Sequence, residues 1–405
     1  MIKNLTNKFL ILSLLLLIAV TEGHTDEVAK RDFALKDFCP QGFGIDEDGL
    51  CRLKTLYQFY SSSQGRGVGG TQTSLPAHRD GFTPQQIDLG RYLFFDPILS
   101  SSKTVSCATC HRPEKGFTDG LAVSRGPNGV RGMRSAPSLW NSAFLTTFNW
   151  DASANSYEQQ VQTPLFSELE MNNSPQQLLA DLRQNDTYRQ LFNVTFVDGI
   201  TLKNIYTALA AFQSSLISLN SRYDQYAHGN HDALSKEEVE GLNVFRSFVA
   251  RCSECHTPPL FTNNQVAVIG VPEIDNRPFD IGAENTFDLR KLRGGFKVPT
   301  LRNISSTAPY MHRGNFSTLR EATEFYNKGR GHAIPENNHL YIHWHITSPD
   351  LQDNEIDLLV TFMKSLSDER FMPELPTEVP SGLSIEIVTD YKHKSTGSFN
   401  TALNH

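Results

Sequence analysis

No apolar stretch in this 405-residue chain reaches the ~20 residues that a membrane-spanning helix needs, and the block Phe9–Val20 (FLILSLLLLIAV) covers only 12. Basic charge is also in deficit, with 37 Lys and Arg against 44 Asp and Glu for a formal net charge of −7, which argues against a nucleic-acid partner and for a basic one. With 39% apolar and 20% charged residues, the composition lacks the bias of a disordered or multi-span chain. Strand-like alternation is scarce. Cysteine is sparse at six, and histidine is missing altogether from residue 112 to 227.

The first 23 residues have the architecture of a secretory signal: Lys3 and Lys8, the apolar block, then small and polar residues around Thr21 to Gly23. Export to the periplasm without stable membrane insertion is the expectation. In that oxidising setting Cys39 and Cys51, in CPQGFGIDEDGLC, are expected to be disulfide-bonded. Residues 24–80 would be a tethered N-terminal extension ending in the linker-like SSSQGRGVGGTQTS, with a C-terminal tail at 373–405.

Helix starts show in capping spacings at Thr83–Gln86, Ser174–Gln177, Ser235–Glu238 and Thr318–Glu321. The segments behind them carry apolar residues at helical spacing, so the chain should be mainly α with little β structure. The four remaining cysteines form a repeat: CATCHRPEKGFT from Cys107 and CSECHTPPLFT from Cys252. Arg134-Ser-Ala-Pro137-Ser-Leu139-Trp-Asn141 returns as Lys297-Val-Pro299-Thr-Leu301-Arg-Asn303. Two duplicated domains follow, at 81–230 and 231–372, the second with a loop-like insertion around NRPFDIGAENTFDLRKLRGG.

CxxCH is the attachment signature of c-type haem, in which two thiols bond the vinyl groups and the imidazole reaches the iron. One haem is expected on Cys107, Cys110 and His111 and a second on Cys252, Cys255 and His256. Aligned on Asn141 and Asn303, Trp150 faces His312 and Pro164 faces Tyr326. A phenol oxygen can bind iron and a proline cannot, so Tyr326 would close haem 2 while haem 1 stays open. Met311 is the alternative ligand. Glu170, in SELEM between Leu169 and Met171, is the candidate for general acid–base work beside the open haem. The segment HLYIHWHI would, if extended, put His339, Tyr341, His343 and His345 on one side, read as an exposed polar edge with a metal site as the alternative.

The order LGRYLFFDPILS, SCATCH, FTDG, RSAPSLWN, NWD, Gln160 and Pro164, LEM, RCSECH, VPTLRN, TAPYMHRG and FYNKG resembles the bacterial dihaem cytochrome c peroxidases and, within them, the MauG-like branch. The resemblance spans residues 81 to 372 and implies two cytochrome c-like haem domains. It implies that Trp150 conducts electrons between the haems, that Gln160, Pro164 and Glu170 line the distal pocket of haem 1, and that Thr307 and Pro309 offer backbone oxygens to an inter-haem calcium ion. It also implies peroxide as substrate and a small redox protein, cytochrome c or cupredoxin, or a protein substrate as partner. Ser135 stands where the family has a calcium-binding Asn, and Ala250 where MauG has the Trp that passes oxidation to its protein substrate. Peroxide reduction is the leading reading; oxidation of a partner protein, or electron carriage without catalysis, are the alternatives.

Overall fold

A computed structural model describes residues 33–62, 72–274, 276–329 and 339–385; the expected signal segment, most of the expected linker and the end of the tail lie outside them. The helices are α1 Leu56–Tyr60, α2 Pro84–Phe95, α3 Cys107–Cys110, α4 Tyr157–Gln160, α5 Gln162–Phe166, α6 Pro175–Gln184, α7 Asp186–Thr195, α8 Leu202–Ser214, α9 Arg222–Ala227, α10 Lys236–Phe245, α11 Cys252–Cys255, α12 Ala283–Phe287, α13 Leu319–Lys328 and α14 Asp353–Lys364. Strand is confined, among the described residues, to two antiparallel pairs, β1 Phe43–Ile45 with β2 Cys51–Leu53 and β3 Val266–Val268 with β4 Gly295–Lys297. The fold is mainly α with little β. All four capping segments start helices: the side chains of Thr83, Ser174, Ser235 and Thr318 accept the N–H of Gln86, Gln177, Glu238 and Glu321. Each such cap contributes about 1 kcal/mol.

The duplication is visible in the packing. In each half the first long helix crosses the last, α2 on α8 and α10 on α14. Glycine marks both crossings, because a Cβ on Gly90 would sit 1.8 Å from the carbonyl oxygen of Ala208, and one on Gly241 2.1 Å from that of Leu358. Four residues later Phe94 packs on Phe212 and Phe245 on Phe362, with ring centroids 5.0 and 5.2 Å apart. Asn141 and Asn303 share a left-handed backbone, φ 57° in both, a conformation that Asn tolerates better than most residues. The Asn141 N–H donates to Leu216 O at 2.9 Å and the Asn303 N–H to Leu366 O at 3.1 Å. Their side-chain oxygens accept from the N–H of Ser218 at 2.9 Å and of Asp368 at 2.5 Å. The correspondence continues into the N–H groups of Phe148 and Tyr310, which donate to Ala154 O and Phe316 O, both at 2.7 Å.

The halves meet through an exchange of equivalent bonds. The Ser135 N–H donates to His312 O at 2.8 Å, and the Lys297 N–H donates to Trp150 O at 2.7 Å. Ser135 and Lys297 both lie six residues before their marker asparagine, and Trp150 and His312 nine after. The contact is therefore a local two-fold between the repeats, the arrangement a self-complementary interface produces. It pairs Lys297 with Ser135 and not, as the basic residues suggested, with Arg134. Arg134 instead reaches into the insertion of the second half, where its Nε and an NH2 nitrogen donate to Asp280 at 2.8 and 2.9 Å, while its other terminal nitrogen reaches Asp151 at 2.8 Å. That insertion is more than loop, since it holds α12 and leads into β4.

The extension differs from a tethered segment. Cys39 and Cys51 are bonded, with Cα atoms 5.5 Å apart. Phe43, Cys51 and Leu56 share one apolar cluster with Phe144, Ile217, Leu260 and Phe371, so the disulfide hairpin is built into the core of both halves. Its apolar residues are too few and irregular to announce this in the sequence. The paired substitution Cys39→Ser, Cys51→Ser should lower the free energy of unfolding by about 3 kcal/mol through the released chain entropy of the short loop. Guanidinium titration of the oxidised wild type against the variant checks this.

Candidate functional site

Each CxxCH forms one helical turn, α3 or α11, which brings its two thiols to one face with the histidine at the C-cap. The Nδ1 of His111 lies 2.9 Å from Phe117 O, and that of His256 lies 3.1 Å from Phe261 O and 3.2 Å from Pro299 O. A carbonyl only accepts, so Nδ1 carries the proton and Nε2 keeps a free lone pair. Burial lowers the pKa of both imidazoles, keeping them neutral. That is the form in which an imidazole binds iron.

The four thiols are unbonded, although Cys39 and Cys51 are joined in the same fold. Burial pushes Cys107, Cys110 and Cys252 up to about 12. A reactive dithiol needs thiolates stabilised by nearby positive charge, which is the reverse of this setting. Neutral, apolar thiols beside a neutral imidazole suit thioether attachment of haem. The residues present fit that group.

A cavity of about 270 Å³ opens over the second pair, lined by Cys252, Cys255, His256, Met311, Tyr326 and Trp150 among others. Burial, with the neighbouring Cys255 and Cys252 sulfurs adding to it, pushes the Tyr326 phenol well above its ordinary value. The Trp150 Nε1–H donates to Ser135 O at 2.9 Å, which places the indole at the junction of the halves. Ala250, Thr307, Pro309 and Lys297 are also in the wall. The Ser135 hydroxyl is engaged with Met311 O at 3.2 Å.

In the first half Pro164 lies in α5, and Met171 N–H donates to its carbonyl at 3.0 Å. That bond closes a turn in which Glu170 N–H donates to Ser167 O, also at 3.0 Å. Burial raises the Glu170 pKa, and the Glu170 charge in turn helps to raise both Cys107 and Cys110. The carboxyl thus stands within electrostatic reach of the first thiol pair. Gln160 ends α4, one turn ahead of Pro164.

Some participants were not singled out from sequence. The carbonyls of Phe117 and Phe261 orient the histidines, and both phenylalanines hold positive φ, 61° and 56°. Their signal was the Phe-Thr that ends both quoted repeats. The exposed polar edge expected of HLYIHWHI is only partly present. Tyr341 and Trp344 are exposed, but His345 faces the cavity with Nε2 2.7 Å from the Glu254 carboxylate, and His343, His345 and Cys255 place their donor atoms within 4.8 Å of one another. His339 lies among the described residues apart from that group. His312 is buried, stacks on Phe296 at 3.8 Å and is held neutral by desolvation.

Residues 84–232 match the family described as di-haem cytochrome c peroxidase. The chain is 32% identical over 299 residues to the methylamine utilization protein MauG of Methylorubrum extorquens, covering 73% of this chain and 82% of that protein. It is 32% identical over 308 residues to the cytochrome c551 peroxidase of Nitrosomonas europaea, covering 74% and 86%. Among solved structures, a MauG-like protein associated with microbial copper homeostasis superposes with a TM-score of 0.67 at 30% identity, covering 72% of this chain and 92% of that one. The diheme peroxidase BthA from Burkholderia thailandensis gives a TM-score of 0.63 at 26% identity, covering 80% and 96%.

Proposed function

Because the chain belongs to the di-haem cytochrome c peroxidase and MauG family of oxidoreductases, we propose that it reduces hydrogen peroxide at a first haem on Cys107, Cys110 and His111, fed with electrons through a second on Cys252, Cys255 and His256. The observation that carries this reading is the asymmetry at one repeated position. Pro164, which cannot ligate, stands where the second half has Tyr326 in the cavity wall. The haems, when bound, supply the iron that takes up peroxide and stores and passes electrons.

The chain's own residues do the rest. Pro164 would offer no ligand to a haem held at the first site. Glu170 accepts a proton at a carboxylate oxygen from one peroxide oxygen and returns it to the other, with Gln160 lining the same pocket. Trp150 bridges the two sites at the junction of the halves. The reaction balances as H2O2 + 2 H+ + 2 e− → 2 H2O, with both electrons supplied singly by a small redox protein of the cytochrome c or cupredoxin class. Export to the periplasm, and calcium on the carbonyls of Thr307 and Pro309, complete the reading. Tyr326 favours a second reading, oxidation of a partner protein, since a tyrosinate stabilises ferric or higher iron. Pro164 and Glu170 weigh against a mere carrier.

Electron paramagnetic resonance of the resting ferric protein tests this assignment. One high-spin and one low-spin haem are expected, and Tyr326→Phe should perturb only the low-spin signal. A low-spin signal indifferent to that substitution would transfer the ligand role to Met311. Two low-spin haems at rest would overturn the open first site.

A further inference from the structure

The most deeply buried arginines of this protein have carboxylate partners. Arg302 is held by Asp224, Arg313 by Glu273, Arg91 by Asp88, and Arg134 by Asp280 and Asp151. Lys297 is different. It lines the cavity of the second site, and no carboxylate among the described residues pairs with it. Desolvation alone acts on its ammonium and pulls it down to about 8. Lys297 is partly buried, and an ammonium drawn away from water without a counter-charge is costly, so something else is needed to supply the opposite charge.

What supplies it follows from where Lys297 stands. Its N–H is bonded to Trp150 O, so the residue sits on the wall between the second CxxCH and the indole at the junction. Its repeat partner Ser135 spends its side chain on backbone carbonyls of the other half, so the lysine is not demanded by the fold at this position. Haem carries two carboxylate groups on one edge. We propose that Lys297 is a positioning residue that ion-pairs with a carboxylate of the haem on Cys252, Cys255 and His256, seating that edge against Trp150 and tuning its reduction potential.

The inference rests on a haem being held at that site, and the test separates the two. Purified holoprotein of wild type, Lys297→Met and Lys297→Arg is titrated spectroelectrochemically after haem content has been counted, the two couples being assigned by comparison with Tyr326→Phe. A cation beside the carboxylate favours the reduced, less positive iron. Lys297→Met should therefore lower the midpoint potential of the second haem and leave the first unmoved, with Lys297→Arg recovering most of the shift. Loss of the second haem in the Met variant, with retention in the Arg variant, would support the same pairing. An unshifted second couple in a two-haem Met variant would overturn it, as would equal shifts in both couples or a Met shift that Arg does not restore. A single haem in the wild type would instead remove the site on which the inference depends.

Discussion

Glu170→Gln is expected to slow peroxide reduction about 100-fold while both haems and the fold remain, the range found when a positioned acid–base group is removed. The amide preserves shape and hydrogen bonding but can neither take the proton from one oxygen nor hand it to the next. The turn holding Glu170 is fixed by backbone bonds, Glu170 N–H to Ser167 O and Met171 N–H to Pro164 O, which the substitution leaves alone. A structural role would therefore predict little change. Burial raises the carboxyl pKa above its ordinary value, so the group stays protonated to a higher pH than an exposed glutamate. Proton acceptance needs the ionised form, so activity should fall as pH drops through that raised value. The acid limb of kcat/KM should start above the usual Glu range and vanish in the Gln variant. Unchanged turnover, or a limb that survives the substitution, would return Glu170 to a passive place.

The sequence made the chemistry legible and left the surroundings obscure, for a physical reason. Covalent attachment demands two thiols and an imidazole at fixed spacing, and the duplication turned Asn141 and Asn303 into markers that the backbone bonds bear out residue by residue. Capping pairs are local, so helix starts at Thr83, Ser174, Ser235 and Thr318 could be read directly. What depends on distant partners could not. Phe43 and Leu56 show no periodicity among Gly and Asp, yet they join a core drawn from both halves. Lys297 resembled Arg134 as a basic residue, and only the exchange across the two-fold shows that it answers to Ser135. His345 turns inward because Glu254, far off in sequence, waits beside the cavity.

The largest loss of stability should come from Arg302→Met. Arg302 and Asp224 are 0% and 1% exposed, and the guanidinium meets the carboxylate through two bonds of 2.6 Å. The same guanidinium donates from Nε to Pro259 O at 2.8 Å, three residues after His256, while Asp224 also accepts from the Ser221 N–H at 2.8 Å. One step before the other marker asparagine the first half has Trp140, buried and edge-on to Phe117 with centroids 5.0 Å apart. The same station is thus filled by an aromatic contact in one repeat and by an ion pair in the other. Removing one ion of a buried pair strands its partner and typically costs about 3–5 kcal/mol, roughly a 10²- to 10³-fold or larger shift toward the unfolded state. Met fills the volume, so little of the loss should be cavity. Adding Asp224→Asn to Arg302→Met should cost much less than the sum of the single losses, because no charge is then stranded. Denaturant titration of the four forms measures the coupling. Since Arg302 supports the loop that follows His256, Arg302→Met should also disturb the low-spin signal before the high-spin one. Strictly additive losses, or a single-variant cost under about 1 kcal/mol, would show that the pair is no more than a surface-grade contact.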